Sequence, residues 1–255
     1  NKTMQGQMDL VLGYQKLFAE SHNLDVKAGF SYFGREKSTL EAKGSGAATD
    51  LIPTLNAAAI AKSVKGDESD QVIAGFFARV NYDYKDRYLV SLSARYDGAS
   101  NLGDDHKWGF FPSASVAWRV SEEPWMKWSE EWLDNFKIRL SAGSMGNGNI
   151  DPYKYIDYMT LKSSTVVIGN ALGTYTVAPG AIPLSLTWET STTYDVGADL
   201  DLFKNRLTMG FDWYRRYTTD MYTVGVSLPS VYGTDAPKGN NASLKTNGWE
   251  LSVGW

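Results

Sequence analysis

The sequence predicts an all-β protein, an antiparallel up-and-down sheet whose strands are long enough to cross a membrane as part of a transmembrane β-barrel. Three observations carry this. Apolar and polar residues alternate with period two over runs of ten or more, as in Tyr88, Val90, Leu92, Ala94 and Tyr96 against Arg87, Ser91, Ser93, Arg95 and Asp97, with Leu89 the exception. Soluble strands run to about five or six residues, whereas a transmembrane strand needs about 9–11. The connections mostly alternate short and long, as they do in barrels with turns on one side and loops on the other. Finally, one face of about nine strands is almost free of charge, while the other carries Asp, Arg, Lys, Ser, Gln and Gly.

The elements follow in order. Met4 to Tyr14 alternates, a short connection ends at Ser21-His22-Asn23, and the partner strand runs from Leu24 to Tyr32. Lys37 to Asp70 loses the alternation and reads as a long loop, with a short helix expected within Asp50 to Val64. Val72 to Tyr82 is the third strand, and Lys85-Asp86 turns into the fourth. Gly98 to Lys107 is a medium loop before the strand Phe110 to Val120. Glu122 to Leu133, with Trp125, Trp128 and Trp132, reads as one or two helical turns and is the one long member of the short connections. Phe136 to Ala142 is the sixth strand, and Gly146 to Leu186 is irregular. Tyr194 to Leu202 and Leu207 to Trp213 pair around Lys204-Asn205, and a loop from Val224 to Leu244 precedes the last strand, which ends at Trp255.

Composition narrows the function classes. The 255 residues carry 25 basic and 29 acidic side chains, a net charge of -4, which argues against a nucleic-acid partner. There is no cysteine, so disulfide frameworks, Cys-based zinc sites and thiol catalysis are excluded. No segment approaches the roughly 18 apolar residues of a spanning helix, which leaves strand-built membrane proteins open. Asn1 is not a natural start and the chain stops inside a strand, so it reads as an excerpt of a longer polypeptide.

Alternation alone does not say where the apolar face points. In a soluble ligand-binding module it would form a core, and Val116, Phe211 and Trp213 would be dry. Strand length, loop asymmetry and the aromatics near strand ends (Tyr14, Tyr82, Tyr84, Tyr88, Tyr96, Trp108, Trp118) favour lipid.

Reactive chemistry finds little support. His22 and His106 lack a second ligand at metal spacing, and neither has a placed triad partner. Asp67, Glu68, Asp70, Asp104 and Asp105 lack the spacing of a calcium loop. Gly143, Gly146 and Gly148 are followed by no Lys-Ser/Thr, and read as flexible loop backbone. Asp195, Asp199 and Asp201 fall on one strand face, which suits a polar lining better than a glycosidase pair. No catalytic residue, metal or cofactor is expected. The loop tyrosines Tyr153, Tyr155, Tyr158, Tyr175 and Tyr232 are the candidate ligand contacts, because flat rings stack on sugars or peptide side chains. Packing of the loops on themselves would use the same rings. Arg95, Arg119, Asp195 and Asp199 are the candidate lumen-facing charges.

Four blocks carry a family resemblance: RYLVSLSARYDGASNLGDDHKWGFFPSASVAWRVSEEPW from Arg87, KIRLSAGSMGNGNIDPY from Lys137, WETSTTYDVGADLDLFKNRLTMGFDWYRRYTTDM from Trp188, and NGWELSVGW from Asn247. Together they resemble the SusC/RagA family of TonB-dependent outer-membrane transporters of Bacteroidetes. The resemblance implies a barrel of about 22 strands with a plugged lumen. It also implies TonB-dependent import of an oligosaccharide or peptide, a SusD-like surface lipoprotein, the TonB–ExbB–ExbD complex as energy source, and a place in the outer-membrane lipid. On that reading residues 1–255 are part of the barrel domain, without the signal peptide, amino-terminal extension and plug, and cannot fold stably alone.

Overall fold

A computed structural model describes the chain except residues 48, 50, 52, 53, 157, 158, 169, 170, 178–181, 184, 185, 226, 228, 230 and 232–235, and except the side chains of 61, 62, 104, 160, 161, 163–168, 171 and 172. The strands are β1 (Lys2–Phe18), β2 (His22–Ala47), β3 (Ala58–Tyr84), β4 (Tyr88–Ala99), β5 (Trp108–Arg119), β6 (Leu133–Asn147), β7 (Thr160–Ile168), β8 (Ala171–Val177), β9 (Glu189–Leu202), β10 (Leu207–Val224) and β11 (Lys238–Gly254). Nine of them form one sheet in the order β1-β2-β3-β4-β5-β6-β9-β10-β11, and β7 and β8 form a separate hairpin between β6 and β9. Every pairing is antiparallel. This is an up-and-down meander of strands long enough to span a bilayer, as the alternation predicts.

Register turns that alternation into two opposed surfaces. One paired row crosses all nine strands as Phe18, His22, Tyr84, Tyr88, Trp118, Ile138, Ala198, Phe211 and Leu251. Another crosses them as Gln15, Asp25, Asn81, Ser91, Ser115, Ser141, Asp195, Tyr214 and Gly248. A slip of one residue in any strand would move a whole strand's polar set onto the apolar face, so the pattern itself fixes the pairing. The apolar face is uncovered: Phe76 and Leu92, in the middle strands, are 56% and 51% exposed. Val116, Phe211 and Trp213 are exposed as well, so they do not form the dry core that a soluble module requires.

The buried core sits elsewhere, at the loop end of the sheet. It consists of Ala99, Leu102, Phe111, Ile150, Leu186 and Trp188. The opposite end has tight turns. Lys85 and Asp86 both have positive φ, which matches strand twist in two-stranded connections, and the Asp83 carboxylate accepts the Asp86 N–H at 2.8 Å.

Four sequence expectations are corrected. Lys37 to Asp70 is mostly strand, since β2 and β3 continue past the alternating region and pair from Lys37↔Ser69 to Ala47↔Ala58. Among the described residues, a 3-10 turn at Leu55–Ala57 stands where a helix was expected within Asp50 to Val64. Val224 to Leu244 likewise contains the start of β11, and Gly146 to Leu186 contains the β7–β8 hairpin. These extensions hold together by backbone pairing, which needs no apolar alternation. The helical expectation for Glu122 to Leu133 is met by 3-10 segments at Val120–Glu122 and Pro124–Ser129.

Candidate functional site

The polar face carries a pocket of about 560 Å³ floored by hydroxyls. Ser91, Ser93, Ser113, Ser115, Ser141, Ser191 and Thr193 line it, with Arg79 and Arg216 among its walls. Small side chains make the hollow: a Cβ on Gly143 would come within 2.7 Å of Ser113 Cβ. Ser93 and Ser113 hydroxyls meet at 2.6 Å, and the Ser91 hydroxyl donates to Asn81 Oδ1 at 2.7 Å. Arg79 Nε donates to Asn81 Oδ1 at 3.1 Å and Arg216 Nε to Thr193 Oγ1 at 3.2 Å. Among the described residues neither guanidinium meets a carboxylate, so both retain donors for an incoming acceptor.

The remaining charges of this face are mostly neutralised by one another. Arg95 binds Asp97 through two nitrogens at 2.9 and 3.0 Å and reaches Ser31 Oγ at 3.2 Å. Asp199 accepts from Lys137 Nζ at 2.8 Å and from Arg139 Nη2 at 2.9 Å, and Arg139 Nη2 also reaches Asp212 at 2.9 Å. Asp195 lies opposite Ser141 and Tyr214 in the hydroxyl row. Arg119 ends β5 opposite Lys137, and its Nε is enclosed without a hydrogen-bond partner. Arg95, Arg119, Asp195 and Asp199 therefore share the polar face, but only Asp199 enters the Lys137–Arg139–Asp212 network.

The loop tyrosines are placed differently from one another. Tyr153 is 39% exposed and its hydroxyl accepts the Asp70 N–H at 3.1 Å. The Tyr155 hydroxyl donates to Ser100 O at 3.3 Å, and its ring packs on the loop core. Tyr175, in β8, is 51% exposed. Tyr158 and Tyr232 lie outside the described residues. Tyr153 thus ties its loop to β3, Tyr155 ties it to the loop after β4, and the Tyr175 ring is exposed.

Residues that sequence reasoning passed over organise this end. Asn101, buried, donates from Nδ2 to Gly148 O and Ile150 O at 2.6 and 2.7 Å, joining the loop after β4 to the loop after β6. Trp188 Nε1 donates to Lys107 O at 3.0 Å, and its ring meets Phe111 edge-on at 5.3 Å. Gly109 and Gly146 both lie against the Phe111 ring, where a Cβ would collide with it. Gly146 and Gly143 are therefore strand residues selected for space rather than flexible loop backbone. The G-F-F and S-M-G-N strings offered a signal only once strand pairing was known.

The His22 ring nitrogen meets the Tyr82 hydroxyl at 2.7 Å and the ring packs on Tyr84 at 4.7 Å, all on the apolar face. Among the described residues no group of three His, Cys, Asp or Glu could hold a metal ion.

Comparison with known proteins gives a consistent placement. The family model "TonB dependent receptor-like, beta-barrel" matches residues 2–255. TonB-dependent receptor P26 of Formosa agariphila is 32% identical over 94% of this chain and 24% of its own length. TonB-dependent receptor SusC of Bacteroides thetaiotaomicron is 32% identical over 71% of this chain and 18% of its own length. The RagAB peptide transporter superposes with a TM-score of 0.87 at 23% identity, over 98% of this chain and 27% of that one. The siderophore receptor PirA of Acinetobacter baumannii shares the fold at a TM-score of 0.59 and 13% identity, over 98% of this chain and 34% of that one. The chain thus spans about a quarter of the length of the curated relatives that it matches over nearly all of its own. Its two-faced meander, its polar row and these matches agree: the chain belongs to the β-barrel family of TonB-dependent receptors, with SusC among its relatives and the fold of RagAB, a family of receptors and not of enzymes.

Proposed function

We propose that this chain forms part of the wall of an outer-membrane transporter that imports an oligosaccharide or a peptide. The observation that carries the reading is the opposition of two complete rows, one apolar and one polar, across nine paired strands. Such a sheet has lipid on one side and water on the other. Its edge strands, β1 and β11, need further strands of the full-length protein, because lipid satisfies no open edge. The plug and amino-terminal parts lie outside residues 1–255, and through them the TonB–ExbB–ExbD complex supplies energy. A SusD-like lipoprotein covers the outer loops.

In this reading the hydroxyl pocket, with Arg79 and Arg216, lines the path or seats the plug. Arg95, Arg119, Asp195 and Asp199 face the lumen, and Tyr153, Tyr155, Tyr158, Tyr175 and Tyr232 belong to the ligand-facing loops. RagAB, which shares the fold, is a peptide transporter by name, and the family resemblance in the sequence implies an oligosaccharide or a peptide, so both classes form the first ligand panel.

The test is purification of the native full-length protein from outer membranes in mild detergent, with copurifying chains identified by mass spectrometry and the ligand panel assayed on the complex. A much longer chain with a bound surface lipoprotein and saturable binding of one panel member is expected. A free water-soluble chain, or passive diffusion through an unplugged pore, would overturn the reading.

A further inference from the structure

We propose that Pro124 to Trp132 is an in-plane anchor that seats the turn end of the sheet in the phospholipid headgroup layer. This goes beyond the import reading and would hold equally for a passive pore. It starts from an anomaly: residues 120–132 make the one long connection among tight turns.

The direction this segment takes is set by Glu123. Its Oε1 accepts from the Tyr88 hydroxyl at 2.6 Å and from Trp118 Nε1 at 3.0 Å, while Arg87 stands 3.7 Å from Oε2. Tyr88 and Trp118 are paired neighbours on the apolar face. The chain leaving β5 is therefore drawn back beside the surface that faces lipid, away from the lumen. A docking site for a partner beneath the barrel would be drawn the other way.

The segment is built rather than loose. Val120, Glu123, Ser129 and Leu133 are buried. Ser129 Oγ donates to Met126 O at 2.7 Å, and Phe203 N donates to Trp132 O at 2.9 Å, which ties the segment to the β9–β10 turn. On this ordered frame Trp125 and Trp128 are left 58% and 70% exposed, and the Trp128 and Trp132 rings pack at 5.9 Å. Lys127 stands exposed between Trp125 and Trp128. Indole has an apolar body and one N–H, and it concentrates at the membrane–water boundary. Lys127 is the one cation beside the exposed Glu130 and Glu131, so the indoles and not charge carry the fit. Tyr88, which packs in the aromatic rim of His22 and Tyr84, holds Glu123 at the start of the segment, so the indoles leave from that rim and the occupant that fits both is lipid.

The experiment uses full-length protein in nanodiscs and compares wild type with the Trp125→Phe/Trp128→Phe double variant. Their difference in emission reports these two indoles alone. Bromine near the headgroup end of the acyl chain is expected to quench that difference about twofold or more over bromine at the chain terminus, as for an element lying in the interface. Quenching by acrylamide and by neither lipid would place the rings in water, and protection from all three would place them under protein; either result overturns the proposal. Heat-modifiable migration on gels verifies that both proteins are folded, and Trp128→Phe alone serves if the double variant does not accumulate.

Discussion

Arg139 and Asp212 form an ion pair at 2.9 Å although a whole strand, β9, lies between them. The residue between them in the paired row is Gly197. A Cβ there would collide with Asp212 Oδ1 and come within 2.9 Å of Arg139 Nη2. A missing side chain thus lets one guanidinium hold carboxylates on two strands, Asp199 on β9 and Asp212 on β10.

Gly197→Ala is expected to displace the Asp212 carboxylate and destabilise the full-length protein. The groups are partly exposed, so the loss should be about 1–2 kcal/mol, between surface and buried pairs. A double-mutant cycle with Asp212→Asn, read by denaturant unfolding in lipid, should show most of the loss absent from the Asn background. Full additivity would dissociate Gly197 from the pair.

Phe111 is the keystone of the loop core, held on Gly109 and Gly146 and edge-on to Trp188. Phe111→Ala should weaken that core by about 3 kcal/mol. Because the strands do not depend on it, the effect should appear as protease cleavage within residues 98–108 and 148–156 while the heat-resistant barrel persists. Gly146→Val, which forces the ring away, should give the same cleavage pattern.

The alternating part of the fold was legible because a sheet with one apolar and one polar face imprints period two on every strand in it. Beyond that two-faced region the same strands lose the imprint, which is why Lys37 to Asp70 reads as loop while it pairs as strand. Charge on the polar face was legible as a face, not as a network. The role of Gly197 depends on register between β6, β9 and β10, and the role of Gly146 on contact with Phe111. Tyr153 and Tyr155 were legible as loop tyrosines, but not the bonds of their hydroxyls to the backbone of Asp70 in β3 and of Ser100. Glu123 is one of two adjacent acids in the S-E-E-P string, and only the placement of Tyr88 and Trp118 shows it buried.

Glu123 also predicts a pH dependence. The Tyr88 hydroxyl, then the Trp118 indole, hold its carboxyl below the ordinary glutamate value of 4.5. A lowered folded pKa stabilises above the unfolded value and loses that stabilisation as pH falls through the folded value. Wild type should exceed Glu123→Gln in thermal stability at neutral pH, with the gap narrowing as pH falls from 4.5 through the lower folded value. A gap independent of pH would show that the charge does not matter.

Residues 1–255 expressed alone should not form a discrete barrel, because β1 and β11 would both present open edges to lipid. Refolding into lipid should give heterogeneous, protease-sensitive material. A single heat-resistant band would contradict this.

The most direct measurement is spin-label accessibility along β10 in full-length protein in bilayers, with one cysteine at a time from Leu207 to Arg216. The chain's own lack of cysteine leaves the label unique within it. Labels at Met209, Phe211 and Trp213 should collide preferentially with oxygen, which partitions into lipid, and labels at Gly210, Asp212 and Tyr214 with a polar nickel chelate. Period-two alternation in that phase places the apolar row against lipid and the hydroxyl row against the lumen. Uniform accessibility, or the opposite phase, would contradict the membrane-wall reading at its root.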